Sequence, residues 1–117
     1  MHKILTTLIV LTFAAPALAD IPEIVAVNST ATNGTWQFDV TLRHSDTGWT
    51  HYANRWAIFT PDGTKLGTRV LAHPHVNEQP FTRSLGGVTI PDSIDHVILR
   101  PHDLVHGDGP DFKHALK

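Results

Sequence analysis

The stretch that decides the fold is residues 35–44, TWQFDVTLRH. Its apolar side chains alternate with polar ones, so that one face of an extended chain carries Trp36, Phe38, Val40 and Leu42. A helix would mix Gln37 and Arg43 into that apolar face. The alternation therefore predicts an antiparallel strand with one buried face.

Short apolar segments recur along the chain and alternate with turn residues. They predict further strands at residues 24–27, 56–59, 65–72, 81–90, 96–100 and 112–116, and turns at residues 28–34, 61–63 and 91–93. The predicted fold is all-β, a single antiparallel β-sandwich of about seven strands, immunoglobulin-like or fibronectin type III-like, with a small β-barrel as the alternative. Leu66 and Val70 are expected to point inward. The apolar face of residues 36–42 is expected to meet Trp56, Ile58, Val97 and Leu99.

The first nineteen residues have the composition of a targeting segment. Lys3 precedes an apolar run over residues 4–15, and Ala17-Leu18-Ala19 forms a small-residue cleavage site. The run is shorter than the roughly 20 residues that span a bilayer. We therefore expect residues 1–19 to be a cleaved signal peptide and residues 20–117 to be the β-sandwich domain. The location would be periplasmic or secreted, with no membrane anchor after cleavage.

Composition excludes several classes of protein. The chain has 117 residues, a net charge of -2 and no cysteine, which argues for one domain without disulfides, thiolate metal sites or a nucleic-acid interface. Ser84 lacks the flanking glycines of a nucleophile elbow, and no phosphate-binding loop is present, so we predict that the protein is not an enzyme. The unusual feature is the 9 histidines, as many as Lys and Arg combined.

The segment His73-Pro74-His75 is the first candidate site. Residues i and i+2 of an extended chain project to the same side, so the two imidazoles could bind one metal ion, with Glu78 as a third ligand. This donor set suits Zn²⁺ or Cu²⁺. The interpretation that we favour is that Pro74 and Pro80 merely shape a crossover loop and that the protein has no cofactor, with Zn²⁺ or Cu²⁺ binding as the alternative.

Two further segments carry candidate residues. Trp49 and Tyr52 lie in a polar loop, where they could form a platform for a protein or small ligand, or where Trp49 could plug the open end of the sandwich. Near the carboxyl end, acids and histidines cluster over residues 102–114, HDLVHGDGPDFKH. Within this segment, residues 106–111 (HGDGPD) lack the ordered acidic positions of a calcium loop, so an ordinary turn between strands is expected there.

The chain resembles a family of small exported proteobacterial proteins of unassigned function. The similarity is carried by residues 41–44 (TLRH), 46–49 (DTGW), Trp56, 61–63 (PDG) and 66–84 (LGTRVLAHPHVNEQPFTRS), and it extends to about Arg100. The segment after Arg100 departs from the family pattern. The resemblance implies a periplasmic β-sandwich without an established activity.

Two functional hypotheses follow from the sequence. The first is a non-catalytic periplasmic module that binds an unknown protein or small ligand through loops at one end of the sandwich. The second is a metal-binding protein that holds Zn²⁺ or Cu²⁺ through His73 and His75. The metal content of untagged protein distinguishes them.

Overall fold

Eight β-strands run through residues 21–116, the part of the chain that the computed structural model describes. They are β1 (Glu23–Thr32), β2 (Thr35–Arg43), β3 (Ala53–Phe59), β4 (Lys65–Val70), β5 (Phe81–Val88), β6 (His96–Asp103), β7 (Gly107–Asp108) and β8 (Phe112–Ala115). The predicted signal peptide, residues 1–19, lies outside the described residues, as do Asp20 and Lys117.

The strands form two antiparallel sheets. One has the order β1-β2-β5, and the other has the order β4-β3-β6-β7, with β8 also paired to β6. The prediction of an all-β antiparallel sandwich is thereby confirmed. The barrel alternative is wrong for the described chain, because its two sheets do not join into one closed sheet.

The hydrophobic core lies between the sheets, where the alternation of residues 35–44 predicted it. Three side chains of β2 meet side chains of β3 and β6, and all are fully buried: Phe38, Val40, Leu42, Trp56, Ile58, Val97 and Leu99. Trp36, at the start of β2, is only half-buried and packs against the edge of this core. Because the chain has no cysteine, this apolar burial carries most of the stability of the domain.

The first hairpin differs from its prediction. The turn was expected to span residues 28–34, but β1 continues to Thr32 and the reversal takes only Asn33 and Gly34. Both turn residues have positive φ, 53° and 84°, which is the conformation of a two-residue hairpin turn and which Asn-Gly favours. The polar residues 28–32 gave no apolar alternation because β1 is an edge strand with little buried surface.

The inward positions of β4 are also corrected in part. Leu66 packs against the core as expected, but Val70 is 64% exposed. A bulge between Ile58 and Phe59 shifts the register of β3 against β4, and Ile58 pairs with Gly67. This shift changes which residues of β4 face the core. Leu71, directly after β4, is buried and belongs to the core.

The sixth strand is longer than predicted. It continues past Arg100 to Asp103, where the short strand β7 pairs with His102 and Asp103. The extension carries Asp103 to the same end of the sandwich as His44, the residue that follows β2. Two turns that are far apart in the sequence therefore meet.

Candidate metal centre

The candidate site lies where the connection after β2 meets the turn after β6. The connection folds back on itself through hydrogen bonds from Thr47 N to His51 O, 3.0 Å, and from His51 N to Gly48 O, 3.2 Å. Leu104 N donates to Tyr52 O, 3.2 Å, and so fastens the second turn to the first. These contacts bring together four side chains that we call the histidine–aspartate cluster: His44, His51, Asp103 and His106.

Asp103 is the centre of the cluster and is fully buried. Its Oδ1 accepts the backbone N–H groups of Val105 and His106, at 2.7 and 2.5 Å. Its Oδ2 faces three imidazoles, at 3.0 Å from His44 Nε2, 3.2 Å from His106 Nδ1 and 3.6 Å from His51 Nε2. Burial alone would raise the pKa of Asp103, but these backbone hydrogen bonds, with His106 and His44, hold the pKa below its usual value.

His44 is buried between two carboxylates. Its Nδ1 lies 2.5 Å from Asp46 Oδ1 and its Nε2 lies 3.0 Å from Asp103 Oδ2. An ionised carboxylate only accepts hydrogen bonds, so both contacts require a proton on each ring nitrogen. A metal ion at Nε2 would replace one proton and leave Nδ1–H donating to Asp46, the carboxylate–histidine–metal arrangement of many zinc sites.

Asp46 holds His44 in place through hydrogen bonds to neighbouring segments. Its Oδ1 also accepts the N–H of Ala53 at 3.0 Å, and its Oδ2 accepts the N–H of His75 at 2.7 Å. Burial raises the pKa of Asp46, but the contact with His44 and these two amides outweigh it and lower the pKa. Asp46 therefore orients His44, binds the first residue of β3 and holds the loop that carries His75.

Two pairs of donor atoms are spaced as metal ligands are, because Asp103 Oδ2 lies 3.0 Å from His44 Nε2 and 3.6 Å from His51 Nε2. Ligand atoms of His44, His51 and Asp103 all lie within 4.8 Å of one another. In a tetrahedral zinc site with bonds of about 2.0–2.1 Å, neighbouring ligand atoms are about 3.3 Å apart. The Nε2 of His51 is buried without a hydrogen-bond partner. The side chain of His106, whose Nδ1 contacts Asp103 Oδ2, is 36% exposed and lies at the solvent side of these three residues.

The structure brings together only two of the three metal ligands expected from the sequence. The rings of His73 and His75 are neighbours, with centroids 4.5 Å apart. Glu78 instead contacts Arg83, with Oε1 2.9 Å from Nη2. His73 is exposed, whereas His75 is buried and stacks on Phe81 at 3.9 Å. Burial, and secondarily the charge of Arg83, lowers the pKa of His75.

The predicted ligand-binding aromatics lie beside the histidine–aspartate cluster. Trp49 is 67% exposed, so it does not plug the sandwich. Its ring meets the edge of Tyr52, with centroids 5.8 Å apart. Leu104 and Val105, on the adjoining turn, are also exposed. These exposed apolar residues therefore lie on two turns that the backbone hydrogen bond between Leu104 and Tyr52 joins.

The sequence predicts an ordinary turn at residues 106–111, and sequence reasoning did not identify Asp103 and His106 as members of a cluster. The available signals were the spacing His44-Ser45-Asp46, at the end of the predicted strand over residues 35–44, and the spacing Asp103-Leu104-Val105-His106, shortly after the predicted strand over residues 96–100.

Comparisons with known proteins return one relevant relative. No protein-family model and no solved structure matches the chain. A protein of Halomicrobium mukohataei described as "Putative lipoprotein" is 42% identical over 73 residues, which cover 62% of this chain and 35% of the relative. The chain thus spans about a third of that relative's length. Because the relative is archaeal, the resemblance to proteobacterial proteins remains a prediction. Within residues 21–116, no helix is long and apolar enough to cross a membrane.

Proposed function

We propose that this chain is an exported metal-binding β-sandwich protein. In this proposal His44, His51 and Asp103 hold Zn²⁺ or Cu²⁺, and His106 completes the site from the solvent side. The observation that carries the proposal is the Nε2 of His51, which is buried without a hydrogen-bond partner and lies 3.6 Å from Asp103 Oδ2. Buried polar atoms are otherwise almost always paired.

The donor set defines the class of ion. Imidazole nitrogens with one carboxylate oxygen suit Zn²⁺ and Cu²⁺, whereas Ca²⁺ and Mg²⁺ require mostly oxygen ligands. Asp46 on His44 Nδ1 and two amides on Asp103 Oδ1 supply the outer hydrogen bonds that fix metal ligands in place.

We propose binding rather than catalysis at this site. The side chains of His44 and Asp103 have no exposed surface, so a substrate would reach the ion only past the partly exposed side chains of His51 and His106. The proposal of export rests on the signal-like residues 1–19 and on the relative described as "Putative lipoprotein".

Titration of untagged, metal-free protein with Zn²⁺ and Cu²⁺ at pH 7.5 tests the site. We expect one tight equivalent and a higher melting temperature, because an ion that binds only the folded chain stabilises it. His51→Ala should weaken this equivalent by more than about 100-fold, since it removes a direct ligand.

His96→Ala is the matched control, because the Nδ1 of His96 pairs with exposed Asp95 and the residue begins β6, away from the cluster. It should bind as the wild type does. Tight binding that survives in His51→Ala would contradict the proposed site.

A second candidate function is recognition of a protein or small ligand by the apolar surface of Trp49, Leu104 and Val105. These residues are 67%, 47% and 59% exposed on two joined turns. A panel of peptides and oligosaccharides should include one that shifts the tryptophan fluorescence, and Trp49→Ala should abolish that shift. Binding that is equal in Trp49→Ala and the wild type would exclude this surface.

A further inference from the structure

We infer that His73 and His75 form a second metal position, for an imidazole-preferring ion such as Cu²⁺ or Zn²⁺. This inference does not rest on the histidine–aspartate cluster. It starts from the ring of His75, which is 5% exposed and whose two nitrogens are both buried without a hydrogen-bond partner. No other imidazole within residues 21–116 has both of its nitrogens buried and unpaired in this way.

An unpaired buried imidazole needs a physical explanation. A neutral imidazole has one N–H donor and one lone pair, and burial removes the water that would satisfy both. The ring of His75 stacks on Phe81, and this contact gives neither nitrogen a hydrogen-bond partner. A metal ion bound to the lone pair would supply the missing partner of one nitrogen.

The neighbouring His73 offers a second imidazole close to the ring of His75. Its Nδ1 lies 3.0 Å from the carbonyl oxygen of Pro74, which can only accept a hydrogen bond. In the neutral ring this contact places the proton on Nδ1 and the lone pair on Nε2, the tautomer that such second partners fix in metal-binding histidines. Because His73 is exposed and its ring centroid is 4.5 Å from that of His75, an ion can enter from solvent.

The backbone of this segment is held in place. The N–H of His75 donates to Asp46 Oδ2 at 2.7 Å, and its carbonyl oxygen accepts from Gln79 Nε2 at 2.9 Å. The side-chain oxygen of Gln79 in turn accepts the N–H of His44 at 3.0 Å. The position of His75 is thus set before any ion binds.

The ligand count makes this a weaker position than the cluster. Glu78 pairs with Arg83, so two imidazoles and water are the ligands. For such a nitrogen site Cu²⁺ binds more tightly than Zn²⁺, following the general order of divalent ions. We therefore expect a second, weaker Cu²⁺ equivalent with nitrogen coordination.

The test is a Cu²⁺ titration of untagged protein by calorimetry and electron paramagnetic resonance, on four forms of the full chain. Wild type should bind two equivalents. His75→Phe, which keeps a ring against Phe81 but has no nitrogen, should lose only the weaker one and should melt no lower than the wild type. His51→Ala should lose only the tighter one. The double variant should lose both.

Because His75 is buried, His73→Ala provides a second measurement at an exposed position. It should weaken the second equivalent by at least about tenfold. A second equivalent that persists unchanged in His73→Ala or in His75→Phe would overturn the inference. A single equivalent that is lost in His51→Ala would also overturn it, but would leave the proposed function standing. A single equivalent that is lost only in His75→Phe would instead overturn the proposed function.

Discussion

Replacing Trp56 by alanine should lower the free energy of unfolding by about 3–5 kcal/mol. Trp56 is the largest fully buried side chain, at 0% exposure in β3, where the central strand of one sheet faces the other sheet. Truncation removes its apolar contacts and leaves a cavity that the two sheets cannot fill. Small domains have stabilities of about 5–15 kcal/mol, so the variant should unfold at a much lower denaturant concentration.

Trp49→Ala is the matched control for this change. Trp49 is the same residue type but is 67% exposed, so its replacement should change the free energy of unfolding by less than about 0.5 kcal/mol. Urea denaturation of metal-free protein, followed by circular dichroism, measures both variants. Equal midpoints for Trp56→Ala and the wild type would show that the core is not where the fold places it.

Asp103→Asn should lower the free energy of unfolding by about 3 kcal/mol in the absence of metal. Asparagine keeps an oxygen for the amides of Val105 and His106 but removes the negative charge that faces His44. His44 then keeps only Asp46 as a carboxylate partner in the buried cluster. Asp92→Asn, in an exposed turn, should have almost no effect in the same denaturation experiment.

The loss of stability in Asp103→Asn should be larger near neutral pH than in acid. The pKa of Asp103 is lower in the folded protein than its usual value, which is about 3.9 in an unfolded chain. The carboxylate therefore contributes stability that is fully present above about pH 4 and is lost as the pH falls through the folded pKa. The difference between wild type and variant should be largest near neutral pH and shrink below pH 4. A difference that grows in acid would contradict the role given to Asp103.

The fold was largely predictable because its central strands are amphipathic. The face of Phe38, Val40 and Leu42 repeats every two residues, and such a repeat identifies a strand with one buried side. The predicted first strand ended too early, before residues 28–32, because an edge strand can carry polar residues on both faces. The sequence of β4 does not indicate the bulge beside Ile58. The prediction that Val70 points inward was therefore wrong.

The site was harder to predict than the fold, for a topological reason. The sequence indicated His73 and His75, which are neighbours in the chain, but it did not connect His44 with Asp103. That contact depends on the pairing of β3 with β6 and on the extension of β6 beyond Arg100. Both are tertiary properties, since they follow from which strands become neighbours and not from local preference.

The contact between His44 and Asp103 also joins the two sheets. His44 follows β2 in one sheet, Asp103 ends β6 in the other, and 59 positions of the chain separate them. Small exported domains commonly fasten such a span with a disulfide, which a reductant can open. This chain has no cysteine, and its fastening consists of imidazole and carboxylate groups. Without an ion, this contact has no bond that a reductant can open: acid weakens it by protonating the carboxylates, and an ion bound between the same groups would strengthen it.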